Sequence, residues 1–340
     1  MKNVTIKTIA ELTNLSLTTV SRVLNGTAEK YRISKSTQKM VLKAAENLDY
    51  TPNQAAVNLR LKRSFSRGLV IPSLANPFFA NVASIVSKSL REKGFSVILV
   101  ECDEKVEVEV EAIGLLRSHN IEGVILIPST KESNHLKILL NQNIPVVCID
   151  RYYEDIAVSY VATDHYIGAF NITELLIKAG HKEIACLQGC ENVISNNLRV
   201  KGYKDAMHKY NLKNTQVWGN SFTTENGYIE TKLLLQRSQK VSAIFALSDT
   251  ILLGALKAIE EEALRIPEDL SVVTSDNSPY LDFLSTPITS VSQPVNDISN
   301  IAIKLLMDKI DAKQKGEQVE LEKVLLKPSL INRDSVMNLR

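Results

Sequence analysis

Ten short apolar runs punctuate residues 68–340, and they constrain the fold more than any other feature of the sequence. They read GLVIPSL, FSVILVE, GVILIPS, IPVVCIDR, VSYVATD, EIACLQG, TQVWGNSF, SAIFALSD, LSVVTSD and TSVSQP. Amphipathic helical stretches fall between most of them. This alternation predicts parallel sheets with helices on both faces. Ten strands exceed one comfortable core, so two similar doubly wound α/β lobes are expected.

In such folds ligands sit beyond the carboxyl ends of the strands. Polar and aromatic residues recur there. Asn76-Pro77-Phe78-Phe79 follows the first run and Asp150-Arg151 the fourth; Phe222, Ser248-Asp249 and Asp276-Asn277 come later, and Arg199 follows the LQG run. Carboxylates and arginine hydrogen-bond vicinal hydroxyls, and an aromatic face packs on the C–H side of a sugar. Each residue also has a plain structural reading. An Asp at a strand end caps a turn, Phe78 and Phe79 fill a core, and Arg199 makes a surface ion pair. Their recurrence at one edge is the signal.

Residues 1–50 follow a helical period instead. Thr5 can cap a helix with Ile6, Ile9, Ala10 and Thr13 on one face and Leu12 alongside. Asn14 suits a tight turn, because it tolerates left-handed backbone. Ser16 can cap a second helix, Leu17 to Asn25, which Gly26 ends. Val20, Val23 and Leu24 share its inner face; Leu17, Thr18, Ser21, Arg22 and Asn25 share its outer face. That outer face carries donors, acceptors and one arginine, which suits the base edges of a major groove. Ser34 can cap a third helix with Val41, Ala44, Ala45 and Leu48 inside. The three together predict an all-α helix-turn-helix domain.

Charge separates the two parts. Residues 1–67 carry 12 Lys+Arg against 4 Asp+Glu, leaving −6 for the rest of a chain whose net charge is +2. A basic head suggests a polyanion partner.

The connector, residues 51–67, contains Thr51-Pro52 as a helix start and Ala55, Ala56 and Leu59 within it. A helix over 52–60 is too short to hold itself in water. Two readings stay open. Paired copies fold together in a minor groove with Leu59 as a wedge, or the stretch is a flexible basic linker.

The catalytic motifs G-x-S-x-G, G-x-G-x-x-G and H-E-x-x-H and the P-loop are missing from the sequence, and the five histidines are scattered. Neither an enzyme nor a cofactor is expected. Cys102, Cys148, Cys186 and Cys190 lack metal-site spacing and are expected to be reduced thiols. No signal peptide or membrane span is expected, so the protein is expected in the cytoplasm.

TIKTIAELTNLSLTTVSRVLNG, ISKSTQKMVLKAAENLDYTPNQAAVNLR, NPFFANVA, IPVVCIDR, LRVKGYKDAM, SAIFALSD and IPEDLSVVTSDNSPY…STPITSVSQP occur in this order. In combination they resemble the lactose-repressor (LacI) family of bacterial transcription regulators over nearly the whole chain. The resemblance implies a homodimer, each chain joining an operator-binding head to a core like the periplasmic sugar-binding proteins. By position, Leu17, Thr18 and Arg22 would choose bases. Thr5, Ser16, Ser21, Asn25, Ser34 and Thr37 would mainly contact phosphates. Leu59 would be the minor-groove wedge, with Asn53 and Ala56 also in the DNA-binding set. Phe78, Phe79, Asp150, Arg199, Phe222, Ser248 and Asp276 match the family's effector-contact positions. The chain would cross between lobes near Thr163, Gln293 and Leu326. That gives an amino-terminal lobe of 68–163 and 294–325 and a carboxy-terminal lobe of 164–292 and 326–340.

Some positions depart from the family pattern: Asn14, Leu17, Val57, Asn197, Ser248 and Asn277. The expected function is a repressor of a pseudo-palindromic operator, with affinity changed by a sugar or sugar derivative. A non-sugar corepressor (purine-like or phosphorylated), a partner protein docked on the core, and a solute-binding protein are the alternatives. No tetramerising heptad tail is expected after LINRDSV.

Overall fold

The computed structural model describes residues 4–51, 63–237, 241–317 and 319–340. The chain divides into two compact units, residues 1–64 and 65–340. The expected hinge helix, with Asn53, Ala56 and Leu59, lies outside the described residues.

The first unit contains α1 (Ile6–Thr13), α2 (Leu17–Leu24) and α3 (Lys35–Asn47). Each starts on a hydroxyl cap. Thr5 accepts from the Thr8 amide and Thr8 returns the bond to the Thr5 amide. The Ser16 and Ser34 side chains accept from the amides of Thr19 and Thr37. Asn14 closes α1 in the left-handed region, φ 54°, and Gly26 follows α2 at φ 69°. Ile9, Val20 and Val41 are fully buried, one from each helix, with Val23, Ala44 and Ala45 around them. Leu12, expected beside the apolar stripe of α1, is exposed. It sits roughly a third of a turn from the stripe's centre at about 100° per residue, so it faces away from the other two helices.

The second unit holds two six-stranded sheets of the same order. The first comprises β1 (Ser66–Ile71), β2 (Ser96–Glu101), β3 (Val124–Leu126), β4 (Val146–Ile149), β5 (Ser159–Thr163) and β11 (Lys323–Leu326). Its order is β11-β5-β4-β3-β1-β2, all parallel. The second comprises β6 (Ile184–Leu187), β7 (Gln216–Trp218), β8 (Ala243–Ala246), β9 (Ser271–Ser275), β10 (Thr289–Ser292) and β12 (Ser329–Ile331), ordered β12-β10-β9-β8-β6-β7. All ten apolar runs form strands. The sequence reading missed β11 and β12. β12 is antiparallel to β10, so the second sheet is not wholly parallel. Both missed strands are short edge strands, half-buried at best, and their few apolar residues, Val324-Leu325-Leu326 and Leu330-Ile331, sit among charged and polar neighbours.

Helices cover both faces of each sheet. In the first lobe α4 (Pro77–Glu92) packs beside α11 (Val295–Lys315), and α5 (Val106–Ser118) and α6 (Lys137–Asn141) belong to the other side. In the second lobe α7 (His165–Lys178) packs with α8 (Ile194–Lys209), and α9 (Thr224–Leu235) with α10 (Asp249–Glu261). The last pair touches backbone to backbone: a Cβ on Gly227 or Gly254 would run into the Ile251 or Thr224 carbonyl. The chain passes between lobes after β5, after β10 and between β11 and β12.

Candidate nucleic-acid interface and effector cleft

On the first unit, Leu17, Thr18, Ser21, Arg22 and Asn25 line one groove with Ile6, Thr27, Lys30 and Tyr31. The inner residues Val20 and Val23 hold this face outward by packing into the three-helix core. The Arg22 guanidinium lies over the Tyr31 ring, 3.7 Å from its centroid. Asn25 donates back to the Ser21 hydroxyl at 3.1 Å. Leu17 is exposed. Thr5, Ser16, Ser34 and Thr37 sit at helix starts, where unpaired amides and the helix dipole favour an anion.

On the second unit, Phe78, Phe79, Asp150, Arg199, Phe222, Ser248 and Asp276 line a single narrow cavity with Asn76, Arg151 and Ser195. Both lobes contribute, each from the carboxyl edge of its sheet. Asp150 follows β4 and Asp276 follows β9, the fourth strand of each lobe. Both aspartates adopt left-handed backbone, φ 64° and 73°. Aspartate tolerates this region better than most residues, and the turn aims each carboxylate back over its sheet edge.

The open readings now resolve physically. Phe78 and Phe79 are buried in the first lobe's core and also line the cavity. Arg199 is no surface residue: it is buried on α8. Its Nη1 donates to the Leu247 carbonyl at 2.6 Å, and its Nη2 lies 3.6 Å from Asp276 Oδ1. Nη2 also lies 3.3 Å from His165 Nδ1, while His165 Nε2 lies 3.1 Å from the Asp150 carbonyl. His165 Nε2 thus faces both the carbonyl and the carboxylate of Asp150 as a donor, the carboxylate oxygen Oδ1 at 3.2 Å. His165 therefore joins the two lobes' carboxylate sites. Burial opposes ionisation of Asp150, but His165, Arg199 and Arg151 outweigh it and hold its carboxyl below the ordinary range.

The sequence reading named Arg151 and Asp249 at strand ends and Gln293 at a crossing without giving them a role in this cleft. Arg151 is buried and makes a two-pronged ion pair with Glu104, at 2.6 and 2.9 Å. Its guanidinium lies 5.1 Å from the Phe79 centroid and 5.4 Å from that of Phe222, one ring from each lobe. Its place beside Asp150 at a strand end was the available signal. Gln293 lies on the second crossing, where its Nε2 donates to Asp276 Oδ1 at 2.6 Å. Ser248 caps α10, accepting from the Ile251 amide. Asp249, next to it, has a carboxyl pushed up to about 7 by burial and by the Asp276 charge, against hydrogen bonds from the Ser278 hydroxyl and from backbone amides.

Among the described residues no group of His, Cys, Asp and Glu could hold a metal ion, and no helix is long and apolar enough to cross a membrane.

The sequence matches two family models. Residues 5–53 match bacterial regulatory proteins of the lacI family, and residues 173–336 match a periplasmic binding protein-like domain. An HTH-type transcriptional repressor PurR of Actinobacillus pleuropneumoniae is 30% identical over 337 residues, 98% of this chain and 99% of that protein. A ribose operon repressor of Halalkalibacterium halodurans is 33% identical over 309 residues, 91% of each. A crystal structure of the lac repressor dimer bound to operator and the anti-inducer ONPF superposes with a TM-score of 0.85 at 25% identity, covering 99% of this chain and 100% of that one. Matches of this extent on both the helical head and the two-lobed core establish that the chain belongs to the lacI family of bacterial regulatory proteins, which act by binding DNA and not as enzymes.

Proposed function

We propose that the protein is a homodimeric repressor whose affinity for a pseudo-palindromic operator is changed by a small neutral sugar, or a sugar derivative without a phosphate, bound between the core lobes. The head reads the operator through Leu17, Thr18 and Arg22. Thr5, Ser16, Ser21, Asn25, Ser34 and Thr37 hold phosphates, and Asn53, Ala56 and Leu59 engage the minor groove. The effector meets Phe78, Phe79, Asp150, Arg199, Phe222, Ser248 and Asp276. Its binding favours the closed lobes and releases DNA.

The observation that carries this reading is the pair of strand-end aspartates facing one cavity from opposite lobes, with Arg199 buried between them. A molecule that bonds both carboxylates favours lobe closure by its differential affinity for the closed state. The charge of the cleft favours a neutral hydroxylated ligand over a phosphorylated one. Asp150, Asp276 and Glu104 face two guanidiniums, Arg151 and Arg199, and each guanidinium is already engaged by a carboxylate. One relative is named a ribose operon repressor, though others are named PurR. Dimerisation is supported by apolar side chains left exposed on the second lobe, Ile229, Leu233, Leu253 and above all Phe283.

The test is a thermal-shift and calorimetric screen of neutral sugars against their phosphates, followed by operator release. A neutral sugar that raises the melting temperature and lowers operator affinity is the expected result. Binding of phosphorylated sugars alone, or an effector that tightens operator binding, overturns the stated ligand class or sign.

A further inference from the structure

We infer that Tyr31 is a positioning residue for base reading: its ring holds the Arg22 guanidinium on the groove-facing side of α2 with the donor edge free. This rests on the proposed role of Arg22 as a base reader and assigns a function to the loop between α2 and α3.

The loop is built to place this ring. Thr27 anchors its start, donating to the Arg22 carbonyl through its amide at 3.0 Å and its hydroxyl at 3.1 Å. Ala28 is buried in the three-helix core. The Ile33 amide returns to the Ala28 carbonyl at 3.0 Å, with Arg32 in the left-handed region at φ 52°. A closed turn thus projects Tyr31 onto the rim of the same groove that Arg22 lines.

The stacking geometry matters because of where a guanidinium carries its protons. All five N–H bonds lie in its plane, whereas an aromatic ring attracts its face. Contact at 3.7 Å to the ring centroid engages that face and consumes no donor. The fork that bonds two acceptors of guanine remains available. Among the described residues no carboxylate pairs with Arg22 and competes for those donors, and Tyr31 itself is exposed, so the ring is not there to fill the core. An arginine side chain loses rotamer freedom when it docks; a ring that already limits those rotamers lowers that loss.

The experiment is a selection on random duplexes with the full-length wild type, Arg22→Ala, Tyr31→Phe and Tyr31→Ala, read as base preference at each position and as salt dependence. Arg22→Ala is expected to flatten one base pair of each half-site. Tyr31→Phe, which keeps the ring face, is expected to retain the wild-type preference there. Tyr31→Ala is expected to lose about two- to fivefold of that preference, the range for an exposed cation–π contact. Its other positions and its salt slope should stay unchanged, because no phosphate contact is removed. Tyr31→Ala with full preference at the Arg22-dependent pair overturns the inference, and so does a uniform loss at every position. If Arg22→Ala itself leaves every preference in place, the base-reading role of Arg22 fails and the role of Tyr31 falls with it. An Arg22→Ala effect without a Tyr31→Ala effect sinks the Tyr31 role alone.

Discussion

Thr163 and Gln293 lie 130 residues apart, yet the Thr163 hydroxyl donates to Gln293 Oε1 at 2.6 Å. The bond ties two of the three passages between lobes, one just after β5 and one just after β10. Gln293 then donates to Asp276 Oδ1. One side chain thus connects the pivot of the core to a carboxylate of the cleft.

Replacing Gln293 by Leu should therefore leave two buried groups short of a partner. An unsatisfied buried group costs about 1–3 kcal/mol, so Gln293→Leu is expected to lower core stability by about 2–4 kcal/mol and Thr163→Val by about 1 kcal/mol. The double variant should cost less than the sum, because each single change already removes the shared bond. Urea unfolding of all four proteins checks this. Strict additivity would mean that the two crossings are energetically independent.

Asp249 gives the core a defined pH response. Burial and the Asp276 charge push its carboxyl up to about 7, against hydrogen bonds from the Ser278 hydroxyl and from backbone amides. In the unfolded chain the same group titrates near an ordinary aspartate value. Between about pH 4 and pH 7 the folded state thus binds the extra proton, and stability falls as pH rises through that window. The loss at pH 8 is on the order of 2–4 kcal/mol. Asp249→Asn should flatten this part of the stability–pH curve and unfold at higher urea than wild type at pH 8. An unchanged slope would place the titration elsewhere.

The sequence revealed some of these relationships and hid others for a physical reason. Asp150 and Asp276 were readable as candidates because each ends an apolar run, and a strand's end is a local property. The cap residues Thr5, Ser16 and Ser34 were readable on the same ground. The left-handed backbone of Asp150 and Asp276, by contrast, and their convergence with Arg199 on one cavity depend on tertiary packing. Gln293, His165 and Glu104 act through partners 15 to 130 residues away, and no local pattern marks such a pairing. β11 and β12 were hidden because these half-exposed edge strands carry only two or three apolar residues among charged and polar neighbours. Tyr31 was invisible because one aromatic in a polar loop has no period.

The head and core form separate compact units, and their stabilities should be separable. Ile9 is fully buried between the three helices of the head. Ile→Ala in a core costs about 2–5 kcal/mol. A unit of this size has a small margin, so Ile9→Ala is expected to melt the head at ordinary temperature. Operator binding should be lost while sugar binding by the core persists. A two-step melt, with only the first step shifted, would show it by calorimetry. A single shifted transition would count against independent units.

The charge of the cleft yields the most direct test of ligand class. Glu104 neutralises Arg151 through two short bonds, and their loop geometry is specific: Asp103 and Glu104 both adopt left-handed backbone, φ 52° and 56°. Neither is glycine, so the turn is held against its intrinsic preference by the contacts Glu104 makes. Glu104→Gln keeps the size of the side chain and one hydrogen-bonding oxygen but removes its charge. Arg151 is then left with Asp150, whose nearest oxygen stands 3.9 Å from Nε, as its carboxylate partner. The cleft becomes more positive by one unit beside Phe79 and Phe222. Neutral sugars, which do not respond to net charge, should bind within about threefold of wild type. A phosphorylated counterpart should gain at least tenfold, about 1.4 kcal/mol, since a charge-assisted bond from a freed arginine is worth about that much. Calorimetry with one sugar and its phosphate on both proteins gives the four values. Equal weakening of both ligands would assign Glu104 to the support of the turn alone, and a phosphate preference already present in the wild type would reverse the reading of the cleft.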